Sequence, residues 1–108
     1  MSVYCVDIDG TICEKPHHND GDYTSSQPLN DRIEKINNLY DDGNYIIYLT
    51  ARGMGRHKNS RMLAHKNFYD LTYNQLISWG CKFHELHLGK PAADYYIDDK
   101  GVNVNEFF

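Results

Sequence analysis

The stretch Val3-Tyr4-Cys5-Val6-Asp7-Ile8-Asp9-Gly10-Thr11 decides how this chain is organised. Val3 to Ile8 is apolar and β-branched, the composition of a buried strand, and the run stops at Asp9-Gly10. A second continuous apolar run, Tyr45 to Thr50 (YIIYLT), has the character of a strand that a parallel sheet buries on both faces. Between the two runs, Leu29, Ile33, Ile36, Leu39 and Tyr40 recur at helical spacing. Asn30 or Asp31 is placed to cap that helix and Gly43 to end it. The polar segment Glu14 to Pro28 carries two prolines and a glycine and reads as a loop.

The alternation continues toward the C-terminus. Gly53 to Asn59 is a glycine- and base-rich loop, and a helix is predicted from about Asn67 or Asp70 to Trp79, with Leu71, Leu76 and Ile77 inward. Ser60 to Lys66 reads as a separate helical turn, with its continuity to the helix left open. Phe83 to Leu88 alternates apolar and polar residues, as a less buried strand does. Tyr95 to Ile97 is a last short strand, closing on Asp98-Asp99. This order predicts one α/β domain over residues 1–108: a three-layer, Rossmann-like fold with a mostly parallel sheet, right-handed crossovers and helices on both faces.

At 108 residues and 12.6 kDa the chain has room for one core. Its net charge of −4 argues against a general nucleic-acid binder, which would carry a basic footprint. The longest apolar run, Tyr45 to Leu49, is far short of the ~20 residues a membrane span needs. Asp7 and Asp9 interrupt what would be the apolar part of a leader peptide. Three cysteines without CxxC spacing (Cys5, Cys13, Cys81) read as reduced thiols, and the expected compartment is cytoplasmic.

In open parallel sheets, ligands sit beyond the carboxyl ends of the strands. Asp7 and Asp9 lie at the end of the first strand, Thr50 at the end of the second, Asp98 and Asp99 at the end of the last. Carboxylates gathered there repel one another, and a hard divalent cation, Mg²⁺ before a softer metal, is the simplest cure. Lys90 brings a point positive charge to the same rim, and Gly10 allows a sharp turn that can offer amide hydrogens to an anion. Cation, lysine, hydroxyl and free amides together describe a phosphoryl site.

Asp7-Ile8-Asp9-Gly10-Thr11, Tyr48-Leu49-Thr50-Ala51-Arg52, Lys90-Pro91 and Ile97-Asp98-Asp99 resemble, in order and in placement, the four motifs of the haloacid dehalogenase-like phosphatases. The segment Gly89 to Lys100 is similar to small phosphatases linked to capsular polysaccharide biosynthesis. The resemblance implies that Asp7 is the nucleophile that becomes an aspartyl-phosphate, and that Asp9 is the general acid and then the base. It implies that Thr50 and Lys90 complete the catalytic set, with Thr50 bonding the phosphoryl oxygens and Lys90 neutralising them. Ile8, Gly10, Thr50, Ala51 and Arg52 are the implied substrate-binding residues, with pairing to an acid the alternative for Arg52, and Asp7, Asp9 (through its carbonyl), Asp98 and Asp99 are the implied holders of Mg²⁺. An acid two residues after the nucleophile favours phosphatase over dehalogenase chemistry, because an alkoxide leaves poorly without a proton.

Lys90 stands closer to the last acidic pair than is usual in those phosphatases, which makes Lys66 and Lys82 its rivals, and Asn103 and Asn105 occupy a stretch where another acid is common. Neither Cys13 to Pro28 nor Gly89 to Asp94 is long enough for a folded cap domain, so the cleft is expected to be capless. His17 and His18 are placed to line it from the intervening loop, and the basic residues of the 53–59 loop to meet a second anionic group. The expected function is hydrolysis of a small phosphorylated metabolite such as a sugar or polyol phosphate of surface-polysaccharide synthesis. A nucleic-acid 3′-phosphatase and a receiver-like phosphate-sensing module are the alternatives; a receiver puts its paired acids on the first strand, and here the pair comes last. Phe107 and Phe108, with Val102 and Val104, are too apolar to be solvated, and they suggest either a fold-back onto the domain or a homodimer or small oligomer.

Overall fold

A computed structural model gives the architecture and describes residues 1–16, 22–55 and 58–108. Strands β1 (Val3–Val6), β2 (Tyr45–Thr50) and β3 (Glu85–Leu88) form one sheet in chain order, all parallel. Helix α1 (Asn30–Asp41) links the first two strands, α2 (Arg61–Ser78) the second and third, and a short helix α3 (Val104–Phe107) ends the chain. A 3₁₀ turn spans Tyr23–Ser25. The fold is thus the expected Rossmann-like α/β arrangement around a parallel sheet.

Register explains where the core lies. Val6, Tyr48 and Leu86 are aligned across the three strands, as are Thr50 and Leu88. Because side chains alternate along a strand, these residues share one face, and that face is buried. Ile33 and Ile36 of α1 and Leu76 of α2 join the same apolar cluster, together with Ile8, Ile12 and Ile46. On the other face Val3 and Cys5 are exposed, and Tyr45, Ile47 and Leu49 are half-buried. Both crossover helices therefore cover one face, whereas the sequence reading placed helices on both. A sheet that grows in one direction by right-handed crossovers puts successive helices on the same side.

The reversal that would use the other side needs a fourth strand, and Tyr95–Ile97 does not form one. Tyr95 and Ile97 are almost fully exposed, and among the described residues no ladder bond holds them. Other boundaries also differ. Ser60 caps α2 by accepting from the Leu63 amide, so Ser60 to Lys66 and the predicted later helix form one 18-residue helix. Thr72 and Leu76 point inward from it, while Ile77 is exposed. Leu29, rather than Asn30 or Asp31, occupies the cap position of α1, without a side-chain bond.

The terminal phenylalanines fold back. Phe107 packs edge-on against Tyr4 and against Phe108, and Lys35 and Arg32 of α1 lie over the two rings. Lys35 also donates to the Phe107 carbonyl. These contacts account for the tail within the chain, so it gives no argument for a partner; of its four apolar residues only Val102 stays exposed.

Candidate active site

Just beyond β1 the chain winds into a tight turn. The Ile8 carbonyl accepts from the amides of Thr11 (3.0 Å) and Ile12 (2.9 Å), and the Gly10 amide donates to the Cys13 carbonyl at 2.8 Å. Gly10 has φ +79°, a left-handed conformation that glycine takes without strain. The turn brings Thr11 back over the strand end, where its hydroxyl donates to Asp7 Oδ2 at 3.2 Å. Lys90 comes from the end of β3. Its amide and that of Gly89 both donate to the Thr50 carbonyl at 3.2 Å, and its ammonium stands 3.7 Å from Asp7 Oδ1. Lys82 is paired with Asp41, so Lys90 is the lysine beside Asp7.

Burial pushes the Asp7 carboxyl above the usual Asp range. Lys90, the Ile8 amide and the Thr11 hydroxyl oppose that rise, and the charge of Asp9 adds to it. The side chain is still one third exposed (33%), so the carboxylate is reachable from solvent. A basic, reachable carboxylate with a cation and a hydroxyl on its flanks is equipped to attack an electrophile.

Asp9 has a different environment. Arg52 grips it at two points, Nε on Oδ2 and Nη2 on Oδ1, each at 2.9 Å. The Arg52 side chain is fully buried. Its Nη1 donates to Gln75 Oε1 at 2.6 Å and Thr72 Oγ1 at 3.3 Å, and its carbon centre lies 4.7 Å from the Tyr23 ring centroid. All of its donors are thereby turned inward, and none faces a substrate. Of the two roles the sequence offers Arg52, substrate contact and pairing with an acid, the structure shows the second.

Ile8 and Gly10 turn their amides to other partners, whereas the bond that Thr50 accepts leaves its hydroxyl proton free to donate. Thr50 is buried, and its hydroxyl accepts from the Arg52 amide at 3.2 Å. The Gly10 amide closes its own turn, and the Ile8 amide bonds the Asp7 carboxylate, so neither is free for an anion. The Ala51 carbonyl accepts from Met54. Asp98 and Asp99 lie on the exposed segment that forms no strand. Asp98 Oδ1 accepts from the amides of Lys100 (2.7 Å) and Gly101 (2.5 Å), which hold its carboxyl below the usual range. Among the described residues, no three His, Cys, Asp or Glu side chains come together to hold a metal ion. Oxygen donors suited to Mg²⁺ are present, but this arrangement does not assemble them. The expected convergence of Asp98 and Asp99 on Asp7 and Asp9 is corrected on that point.

His17, His18 and part of the 53–59 loop (Arg56, His57) lie outside the described residues. Cys13 is buried against Asp9, and its thiol is pushed up to about 12 by burial and then by the neighbouring carboxylate. It stays protonated and serves packing. Sequence reading missed four contributors: Thr11, Tyr23, Thr72 and Gln75. Thr72 and Gln75 stand three residues apart, one turn before and just beside Leu76, and polar residues on an inward helical stripe are the signal that could have exposed them.

No protein-family model and no curated protein matches the chain. A crystal structure of a target protein from Vibrio cholerae is similar to it, with a TM-score of 0.86 and 28% identity over 99% of this chain and 87% of that one. The name given to that structure states no activity.

Proposed function

We propose that the chain is a phosphomonoester hydrolase that works through an aspartyl-phosphate on Asp7. The observation that carries this reading is the setting of Asp7: a third-exposed carboxylate at the end of β1, with the Lys90 ammonium 3.7 Å from one oxygen and the Thr11 hydroxyl 3.2 Å from the other. The four motif segments that resemble haloacid dehalogenase-like phosphatases support it. The proposed substrate is a small phosphorylated metabolite of the sugar or polyol phosphate class, with surface-polysaccharide synthesis as its setting. The proposed compartment is cytoplasmic, consistent with three unpaired thiols. Among the described residues no helix is long and apolar enough to cross a membrane.

An Asp7 oxygen attacks phosphorus; the phosphorus–oxygen bond to the leaving alcohol breaks as Asp9, which enters this step protonated and leaves it as the carboxylate paired with Arg52, gives that oxygen a proton. Water then attacks the acyl phosphate, giving up a proton to Asp9, and inorganic phosphate leaves as Asp7 is regenerated. Lys90 offsets negative charge on the transferring group, and Thr11 holds the Asp7 carboxylate in place. Mg²⁺ remains part of the proposal on donor chemistry alone, and no step here passes through it.

A panel of phosphorylated sugars, polyols and nucleotides with phosphate release as readout tests the reading. Turnover of at least one sugar or polyol phosphate, with covalent phosphate on Asp7 by mass spectrometry, is expected. Absence of phosphate release from every compound, with Mg²⁺ supplied, overturns it.

A further inference from the structure

Three buried or half-buried side chains outside the reacting groups form one continuous chain of contacts that starts at Asp9. Arg52 grips both oxygens of Asp9. Gln75 of α2 then accepts from Arg52 Nη1 at 2.6 Å, and through Nε2 it donates to the Tyr23 carbonyl at 2.6 Å. Tyr23 closes the circuit: its ring lies over the guanidinium, and its hydroxyl accepts from the Gly53 amide at 3.1 Å. Tyr23 belongs to the polar excursion between β1 and α1, whose sequence alone gives no reason to be ordered. Among the described residues the excursion is also tied near its ends, by the Glu14 amide to the Gln27 carbonyl and by the Leu29 amide to the Ile12 carbonyl.

We propose that Arg52, Gln75 and Tyr23 are positioning residues that lock the Asp9 carboxylate in one orientation and make that orientation depend on the excursion around residues 22–28 being docked. A carboxylate held at both oxygens by a planar fork cannot rotate about its terminal bond. The fork itself is fixed because its outer nitrogen is held by Gln75 and Thr72 and its face by the Tyr23 ring. Undocking Tyr23 removes the carbonyl that orients Gln75, the ring that covers Arg52, and the acceptor for Gly53. Proton transfer tolerates little misplacement, so the leaving-group step is the one that feels the loss.

The kinetic half of this inference rests on the phosphatase reading; the structural half does not, and the experiment separates them. Hydrogen exchange is measured on the wild type and on Gln75→Leu. The amides of Thr24 and Ser26 are expected to exchange at least about tenfold faster in the variant, with β2 unchanged. The second arm compares turnover of an alkyl phosphate with that of p-nitrophenyl phosphate, whose leaving group hardly needs a proton. Gln75→Leu is expected to lower kcat for the alkyl phosphate about tenfold at nearly constant KM, and to change p-nitrophenyl phosphate turnover less than about twofold. Unchanged exchange at Thr24 and Ser26, acceleration spread equally over the whole chain, or equal loss on both substrates overturns the relay. If Gln75→Leu does not fold, Tyr23→Leu, which leaves the ion pair intact and removes the ring, is read by the same two criteria. If the wild type hydrolyses neither phosphate, the phosphatase reading fails and the exchange arm still decides the relay.

Discussion

Lys90 Nζ stands 3.7 Å from Asp7 Oδ1, closer than any other cation to the carboxylate at the end of β1 among the described residues. At that distance the ammonium favours the charged carboxylate without a short hydrogen bond to it. Burial acts the other way and is the larger influence, so the carboxyl sits above its usual range.

The acid limb of kcat/KM is therefore expected above the ordinary Asp value of about 3.9. Lys90→Met removes the strongest opposing influence and should move that limb to higher pH, in addition to lowering the rate. p-Nitrophenyl phosphate is the substrate of choice, because its departure does not report on Asp9. The substrate's own titration is common to both proteins and drops out of the comparison. A limb that stays in place in Lys90→Met contradicts the assignment.

Stability should respond to Asp7 in the opposite direction from activity. A carboxyl whose folded pKa is raised favours the folded state below its unfolded pKa, and that contribution is lost as pH rises through the folded pKa. At neutral pH the charged, part-buried group opposes folding. Asp7→Asn is expected to abolish turnover and covalent phosphate while leaving Tm at pH 7 equal to or above that of the wild type. The difference should vanish near pH 3. A lower Tm for Asp7→Asn at pH 7 would show that Lys90 and Thr11 outweigh burial.

Asp9→Asn keeps the shape and loses the group that carries a proton to the leaving oxygen. The expected loss is about 10²–10⁴-fold on an alkyl phosphate and much less on p-nitrophenyl phosphate. Equal losses on the two substrates would move the acid role to another residue. The variant also leaves the buried Arg52 without its charged partner, which is costly, so Tm should fall as well.

How much of this was legible in the sequence depended on how local the signal was. Val3 to Val6 and Tyr45 to Thr50 announce themselves because continuous apolar runs bounded by acids and glycines have few other uses. The helix after β1 was equally plain, since Ile33 and Ile36 repeat at helical spacing and both are buried. Tyr95 to Ile97 has the same composition yet forms no strand, because pairing is a long-range matter that composition does not determine. Asp7 and Lys90 could be placed by strand-end logic alone. The Asp9 clamp could not, since Arg52, Thr72, Gln75 and Tyr23 come from three separate segments and meet only when α2 packs. Asp98 illustrates the converse: its carboxylate, half of a pair that reads as a metal site, serves its own turn here.

Metal dependence is the sharpest test of that last difference. Turnover is expected to stop in EDTA and return with added Mg²⁺. If it does, Asp98→Ala discriminates further: a carboxylate that only closes its own turn should alter the Mg²⁺ concentration for half-maximal rate less than about twofold, whereas a charged ligand's loss typically weakens a site about tenfold or more. Full turnover in metal-free buffer would remove Mg²⁺ from the proposal altogether.

Gly53 gives the prediction that joins stability to the site. Its φ is +78°, in the left-handed region that side chains rarely adopt. A Cβ there would stand 2.5 and 2.8 Å from two carbons of the Phe68 ring and 3.2 Å from Ala64 Cα. The ring has little freedom to yield, because it packs edge-on against Tyr23 with centroids 5.3 Å apart. Backbone strain of about 1–2 kcal/mol and the steric displacement add, for an expected loss of about 2–4 kcal/mol in Gly53→Ala. Gly55→Ala is the matched control: the position has no positive φ, and among the described residues nothing lies within 4 Å of the added methyl. It should stay within about 0.5 kcal/mol of the wild type. Thermal melts of the two variants decide the matter. Similar Tm values for both would mean that the loop after β2 relaxes freely, and Tyr23 would then have no fixed surface on which to dock.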